Sequence, residues 1–215
     1  MLELNQLYRM DCMEGMKQFP DKYFDMCLTS PPFKDEDVQG DYWKIYDVWI
    51  KEIFRITGKV ILIIHSATKI NEHVLKYPSK RILIWNKGII KYSYRFNPIY
   101  AYQIDDNYKI NKKIYSDTNT QQPVRNRSHP YEDPIKIYQW LISMFNDCNT
   151  IIDPFMGSGT TAIACEMENR KWIGFETFLD NYTTAIKRIE TYKLRPKPFI
   201  NLSKLKSFID ENNQG

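Results

Sequence analysis

The chain has 215 residues, 43% of them hydrophobic, which suits one domain of ordinary size with a real core. Lysine and arginine number 30 against 26 acidic residues, a net charge of +4 that permits a nucleic-acid partner without demanding one. Four widely spaced cysteines (Cys12, Cys27, Cys148, Cys165) form no CxxC pair and make no metal cluster with His65, His73 and His129, so buried free thiols and no metal are expected.

The opening MLELNQLYRMD holds no apolar run of signal-peptide length. The longest apolar stretch, Val60 to Ile64, is far too short to span a bilayer, so a soluble, cytoplasmic protein with no membrane partner is expected. Leu7 to Met10 reads as a short strand ending at Asp11. Tyr23 to Leu28 reads as a buried strand that opens into Thr29-Ser30-Pro31-Pro32-Phe33. Asp41 to Phe54 carries aromatics at helical spacing, and Lys59 to Ile64 is a continuous apolar strand. Arg81 to Trp85 and Ile99 to Gln103 read as antiparallel neighbours. Pro134 to Phe145 is helical, Thr150 to Ile152 is a strand that opens into a Gly-rich loop, and Thr160 to Asn169 is the helix after it. Lys171 to Phe175 is a strand ending at Glu176, followed by a helix over Leu179 to Tyr192 and a short amphipathic appendage. This alternation predicts an α/β fold with a mostly parallel sheet. The stretch 88–127 breaks it, interleaving Lys91, Arg95, Lys109, Lys112, Lys113, Arg125 and Arg127 with aromatic residues.

Two turns carry the chemistry, each at the carboxyl end of a predicted strand, where open α/β sheets bind ligands. In the first, two prolines stiffen the backbone so that a carbonyl projects into a cavity, and the Ser30 hydroxyl lies beside it. Two adjacent acceptors suit an NH2 group, and the Phe33 ring offers a stacking face for a planar base. In the second, Asp153-Pro154-Phe155-Met156-Gly157-Ser158-Gly159-Thr160-Thr161, the two glycines let the backbone turn sharply against a ligand. Glu176, at the end of the next strand, is placed to bind ribose hydroxyls. No Gly-Lys-Ser/Thr follows, so this is not a P-loop, nor is it the GxGxxG of nicotinamide cofactors. A lone Gly-x-Gly could be a structural turn, but the order strand, loop, helix, strand and Glu176 points to a nucleoside-type cofactor.

On these residues the sequence resembles the amino-DNA methyltransferases, which modify adenine N6 or cytosine N4. Ser30-Pro31-Pro32-Phe33 matches their catalytic motif and Asp153 to Thr161 their cofactor motif. The catalytic motif comes first, as in the permuted beta group. The resemblance also matches Glu176, Asp11 and the His129-Pro130 segment to cofactor positions. Asp133 stands where many members carry lysine. The resemblance implies a single Rossmann-like methyltransferase domain over 1–215, with helices on both faces of a mixed, mostly parallel sheet. It further implies S-adenosylmethionine as cofactor, double-stranded DNA as partner, and 88–127 as a target-recognition insertion. The chain is small for the family, which implies a short recognition site or a homodimer; a cognate restriction endonuclease is a further candidate partner.

The implied mechanism is direct. Hydrogen bonds from the amino group to Ser30 and to the Pro31 carbonyl favour a more tetrahedral nitrogen, and positioning does the rest. Serine at the first motif position goes mainly with cytosine N4, which is therefore favoured over adenine N6. Methylation at cytosine C5 is disfavoured because no cysteine follows a proline. An RNA or protein-glutamine substrate and a non-catalytic DNA-binding protein stay open as alternatives.

Overall fold

The computed structural model describes residues 1–32, 40–88, 96–103, 116–124 and 132–195. Phe33, Lys91, Arg95, Lys109, Lys112, Lys113, Arg125, Arg127, His129, Pro130 and the appendage after Arg195 lie outside the described residues.

The strands are β1 (Gln6–Tyr8), β2 (Phe24–Thr29), β3 (Thr57–Ile64), β4 (Arg81–Asn86), β5 (Phe96–Gln103), β6 (Thr118–Thr120), β7 (Thr150–Asp153) and β8 (Lys171–Phe175). They form one sheet in the order β1-β8-β7-β2-β3-β5-β4-β6. The run β1-β8-β7-β2-β3 is parallel throughout, whereas β5 is antiparallel to both β3 and β4. The expected β4–β5 pair is present, with Arg81 opposite Ala101 and Asn86 opposite Phe96. Strand β5 sits between β3 and β4, so that part of 88–127 belongs to the sheet.

The helices are α1 (Cys12–Met16), α2 (Tyr42–Ile56), α3 (Ile70–Lys76), α4 (Ile135–Ser143), α5 (Thr160–Met167) and α6 (Leu179–Lys193). They cover both faces. Met26 and Leu28 of β2 point into a core with Ile137, Leu141, Ile163 and Ala185 of α4, α5 and α6. Cys27 of the same strand points the other way, into a core with Met16 of α1 and Tyr46, Ile50 and Ile53 of α2. Alternation along a strand buried on both sides explains why residues 26–28 of β2 and 60–64 of β3 read as continuous apolar runs. Asp41 caps α2 by accepting from the amides of Trp43 and Lys44 at 3.1 and 3.3 Å. All four cysteines are buried and free. No described helix is long and apolar enough to cross a membrane.

The order places β2 beside β7 at the middle of the parallel run. The chain leaves β2 toward β3 on one side and leaves β7 toward β8 on the other. A crevice therefore opens between the loops at the carboxyl ends of β2 and β7, the point where α/β sheets hold ligands.

Candidate active site

A cavity of about 600 Å³ fills that crevice. Ser30, Pro31 and Pro32 enter it from the end of β2, and Asp153 to Phe155, Gly157, Ser158, Thr160 and Thr161 from the end of β7. Asp11 and Glu176 enter from the ends of β1 and β8. Two sequence motifs about 120 residues apart thus share one wall-to-wall space because their strands are sheet neighbours.

The Gly-rich loop is held from several directions. Gly159 caps α5 in the left-handed region at φ +82°, a conformation open to glycine at little cost. A Cβ there would lie 3.2 Å from Ala185 Cβ. The Met156 amide donates to the Phe175 carbonyl at 2.9 Å, tying the loop to β8. Arg188 of α6 donates one guanidinium nitrogen to the Ser158 carbonyl and the other to Glu132 Oε1 at 2.9 Å. The Thr160 hydroxyl donates to the Asp133 carbonyl at 3.4 Å.

The acids differ in what they have left to offer. Asp153 is buried; its Oδ1 accepts from the Thr29 hydroxyl at 2.6 Å and from the Phe155 amide at 3.0 Å, while Oδ2 accepts from the Thr161 hydroxyl. Burial pushes its carboxyl up to about 6, against the pull of those donors. Three of its four lone-pair sites are taken within the protein, so Asp153 braces the two turns and keeps one acceptor site on Oδ2. Glu176 accepts from the Gly157 amide at 3.1 Å on Oε2 and from the Phe178 amide at 2.8 Å on Oε1. Each oxygen keeps a second lone pair for a donor in the cavity. Asp11 caps α1, with Oδ1 accepting from the Met13 amide at 2.8 Å. Among the described residues no hydrogen bond engages the Ser30 hydroxyl.

The cavity also contains residues that the sequence left unassigned. Ile45 and Trp49 of α2 form one wall, where Trp49 meets Phe155 edge to face at 4.7 Å and 63°. Asp133 and Tyr138, bonded to each other at 3.0 Å, line another side. Phe178 and Asn181 line the side next to Glu176. Cys12 is brought into the lining too, but burial pushes its thiol up to about 12, with Asp11 adding to the effect. A thiol so reluctant to ionise is a poor nucleophile, which leaves the argument against cytosine C5 chemistry intact. Among the described lining residues there are four carboxylates, Asp11, Asp133, Asp153 and Glu176, and no lysine or arginine.

A family model described as DNA methylase, of the N6/N4 type, matches residues 24–187, from the start of β2 into α6. The chain belongs to the N6/N4 DNA methylase family. This methylase chain is 27% identical over 234 residues to the type II methyltransferase M.BamHI of Bacillus amyloliquefaciens, across 81% of its own length. It spans 55% of the length of M.BamHI. Among solved structures, the cytosine-N4-specific PvuII DNA methyltransferase superposes with a TM-score of 0.69 at 15% identity, over 94% of this chain and 90% of that one. The complex of M1.HpyAVI with S-adenosylmethionine superposes with a TM-score of 0.66 at 22% identity, over 85% of this chain and 98% of that one. Both establish the fold as that of S-adenosylmethionine-dependent methyltransferases.

Proposed function

We propose that this methylase transfers a methyl group from S-adenosylmethionine to an exocyclic amino group of a base in double-stranded DNA, with cytosine N4 as the acceptor. One observation carries the reading: the Ser30-Pro31-Pro32 turn and the Gly-rich loop with Glu176 line the same cavity. Its volume of about 600 Å³ lies within the range of small-molecule and cofactor sites. The four carboxylates of the lining, with no lysine or arginine among its described residues, favour a ligand that carries positive charge, as the sulfonium and ammonium of S-adenosylmethionine do. S-adenosylmethionine, when bound there, supplies the electrophilic methyl group.

The chain's own residues then have separable tasks. Glu176 takes the ribose hydroxyls on its two remaining lone pairs. Gly157 and Ser158 keep the backbone close to the ligand, and Asp11 closes the far side. Ser30 Oγ and the Pro31 carbonyl accept from the two protons of the amino group, orienting the nitrogen lone pair toward the donor. The base reaches this cavity only after leaving the duplex, at a cost of a few kcal/mol; Phe33, Trp49 and Phe155 supply the aromatic surface that offsets part of it. Lys91, Arg95, Lys109, Lys112, Lys113, Arg125 and Arg127 are the candidates for contacts to phosphates and base edges.

Support for cytosine over adenine comes from the serine at position 30, since the resemblance pairs that residue with cytosine N4. Nucleoside mass spectrometry on duplex DNA treated with purified protein and S-adenosylmethionine tests both levels. N4-methylcytosine is the expected product. N6-methyladenine retains the cofactor and the mechanism but overturns the choice of base, and no methylated nucleoside from a protein that binds the cofactor overturns DNA as substrate.

A further inference from the structure

Thr29 and Asp153 face each other across the bottom of the crevice. Thr29 is the last residue of β2 and directly precedes Ser30; Asp153 is the last residue of β7 and directly precedes the Gly-rich loop. Their side chains meet at 2.6 Å, with Thr29 Oγ1 donating to Asp153 Oδ1, and both residues are buried, 0% and 3% exposed. Near this level the sheet ladder no longer joins the two strands: the paired residues are Met26 with Ile151 and Cys27 with Ile152. Beyond them Leu28 and Thr29 are paired only to β3, and Asp153 only to β8. The side-chain bond therefore spans the gap where the backbone connection between the two turns has ended.

The same carboxylate is fixed on the other side by the Phe155 amide at 3.0 Å and by the Thr161 hydroxyl of α5. Asp153 is thus a rigid bracket within the cofactor loop, and Thr29 is the point at which the acceptor turn is fastened to it. A hydrogen bond to a buried, charged acceptor is among the stronger ones a protein makes. Three donors favour the charged form and offset part of the burial of the carboxylate.

We propose that Thr29 and Asp153 are positioning residues for methyl transfer: their hydrogen bond locks the Ser30-Pro31 turn to the cofactor loop and so sets the distance between acceptor nitrogen and methyl donor. The proposal rests on the reading of the cavity as a methyltransferase site. Neither residue touches the reacting atoms. Thr29 acts through Ser30, its covalent neighbour, and Asp153 acts through Thr29. Thr161, bonded to the same carboxylate from the α5 side, belongs to the cofactor half of the bracket.

Replacing Thr29 by Val keeps the shape and removes the donor; Thr29→Ser keeps the donor. Single-turnover methylation, cofactor affinity by calorimetry and thermal stability are measured for wild type, T29V, T29S and T161V. A misplacement of about 1 Å in an active site costs about 100-fold in rate. T29V is therefore expected to slow methyl transfer by about that factor while its cofactor Kd stays within about threefold of wild type. T29S is expected to recover wild-type rate to within a few-fold, and T161V to lose cofactor affinity instead. A T29V protein with wild-type rate overturns the proposal. So does parallel loss of rate and cofactor affinity in T29V, or a folded T29S as slow as T29V. Should T29V fail to fold, the rate of T29S and the affinity of T161V still decide: both at variance with expectation, the proposal is wrong. A wild-type protein that binds the cofactor and methylates no DNA overturns the functional reading and this inference with it, whereas an active wild type with an equally active T29V overturns this inference alone.

Discussion

The His73 ring lies flat against Tyr100, with centroids 3.6 Å apart and planes 5° from parallel. This contact joins α3 to β5, deep in an aromatic cluster that also holds His65, Tyr42 and Tyr46. The Ser66 amide donates to His65 Nδ1 at 2.9 Å, so the His65 proton resides on Nε2 and is donated to the Tyr42 hydroxyl at 2.7 Å. Tyr46 bonds His73 Nε2 at 2.8 Å, while His73 Nδ1 and the Tyr100 hydroxyl are buried without partners among the described residues. Both histidines are thus held as neutral rings in an apolar layer.

Acid should loosen this fold well above the carboxylate range. Burial lowers His65 to about 4 and His73 to about 3. The unfolded chain takes up these protons below pH 6.5 and the folded chain does not, so stability is full above 6.5 and is lost as pH falls toward 4. At pH 5 each histidine accounts for a loss of about 2 kcal/mol. Asp153 works in the opposite sense: its raised carboxyl favours the fold at low pH, and that contribution fades as pH rises through about 6. The net loss between pH 7 and pH 5 is about 2 to 3 kcal/mol, or a fall in Tm of roughly 5 to 10 °C. Calorimetric melting across that range checks it. Replacing His73 by Phe should flatten the pH dependence by about one histidine's share, and an unchanged slope would contradict the assignment.

Gly159 is the position in the Gly-rich loop where a single methyl group is most costly. Alanine at φ +82° carries backbone strain of about 1 to 2 kcal/mol. Its Cβ would also press on Ala185 at 3.2 Å and on Ile189 at 3.3 Å, which buttress the loop from α6. G159A is expected to lower stability by about 2 kcal/mol or more and to weaken cofactor binding, because α5 must shift to relieve the contact. Urea denaturation and calorimetric titration separate the two effects.

Glu176 should matter to the ligand more than to the fold. Its two protein bonds are to loop amides, Gly157 and Phe178, and its carboxylate faces the cavity. Losing a hydrogen bond to a charged group costs about 1.5 to 3 kcal/mol, so E176A is expected to raise the cofactor Kd about 10- to 100-fold. Equilibrium binding without DNA measures this directly; a Kd within a factor of two of wild type would remove Glu176 from the site.

Much of this geometry was legible because a buried parallel sheet writes its strands plainly. Lys171 to Phe175 was bounded correctly, and β2, β3 and β7 shifted by one or two residues, because apolar runs end where loops begin. Three elements were not foreseen. Helix α1 has five residues and α3 seven, too short to show a 3.6-residue period, and β6 is Thr118-Asn119-Thr120, a polar edge strand with no apolar face. Ile45 and Trp49 were missed for a subtler reason. The core stripe of α2 runs through Tyr42, Tyr46, Ile50 and Ile53, and each missed residue sits one position before a stripe residue. A shift of one residue is about 100° around a helix, enough to turn a side chain from the core into the cavity. Nor could sequence spacing reveal that Asp153 spends its carboxylate on Thr29, Phe155 and Thr161, since that depends on β2 and β7 being neighbours.

Ser30 carries the sharpest functional prediction. Ser30 lines the cavity beside Pro31 and, among the described residues, its hydroxyl is committed to no hydrogen bond. Replacing it by Ala removes one of the two acceptors proposed for the amino group while the prolines continue to hold the turn. Deleting one such contact in a preorganised site typically costs about 100- to 1000-fold in rate. Since the proposed contact is to the acceptor base, cofactor binding in its absence should stay within about twofold of wild type. Single-turnover kinetics beside calorimetric titration test the split. A Ser30→Ala protein that methylates at the wild-type rate would show that the serine is scenery. One that loses cofactor affinity in step with rate would place it in the cofactor half of the cavity instead.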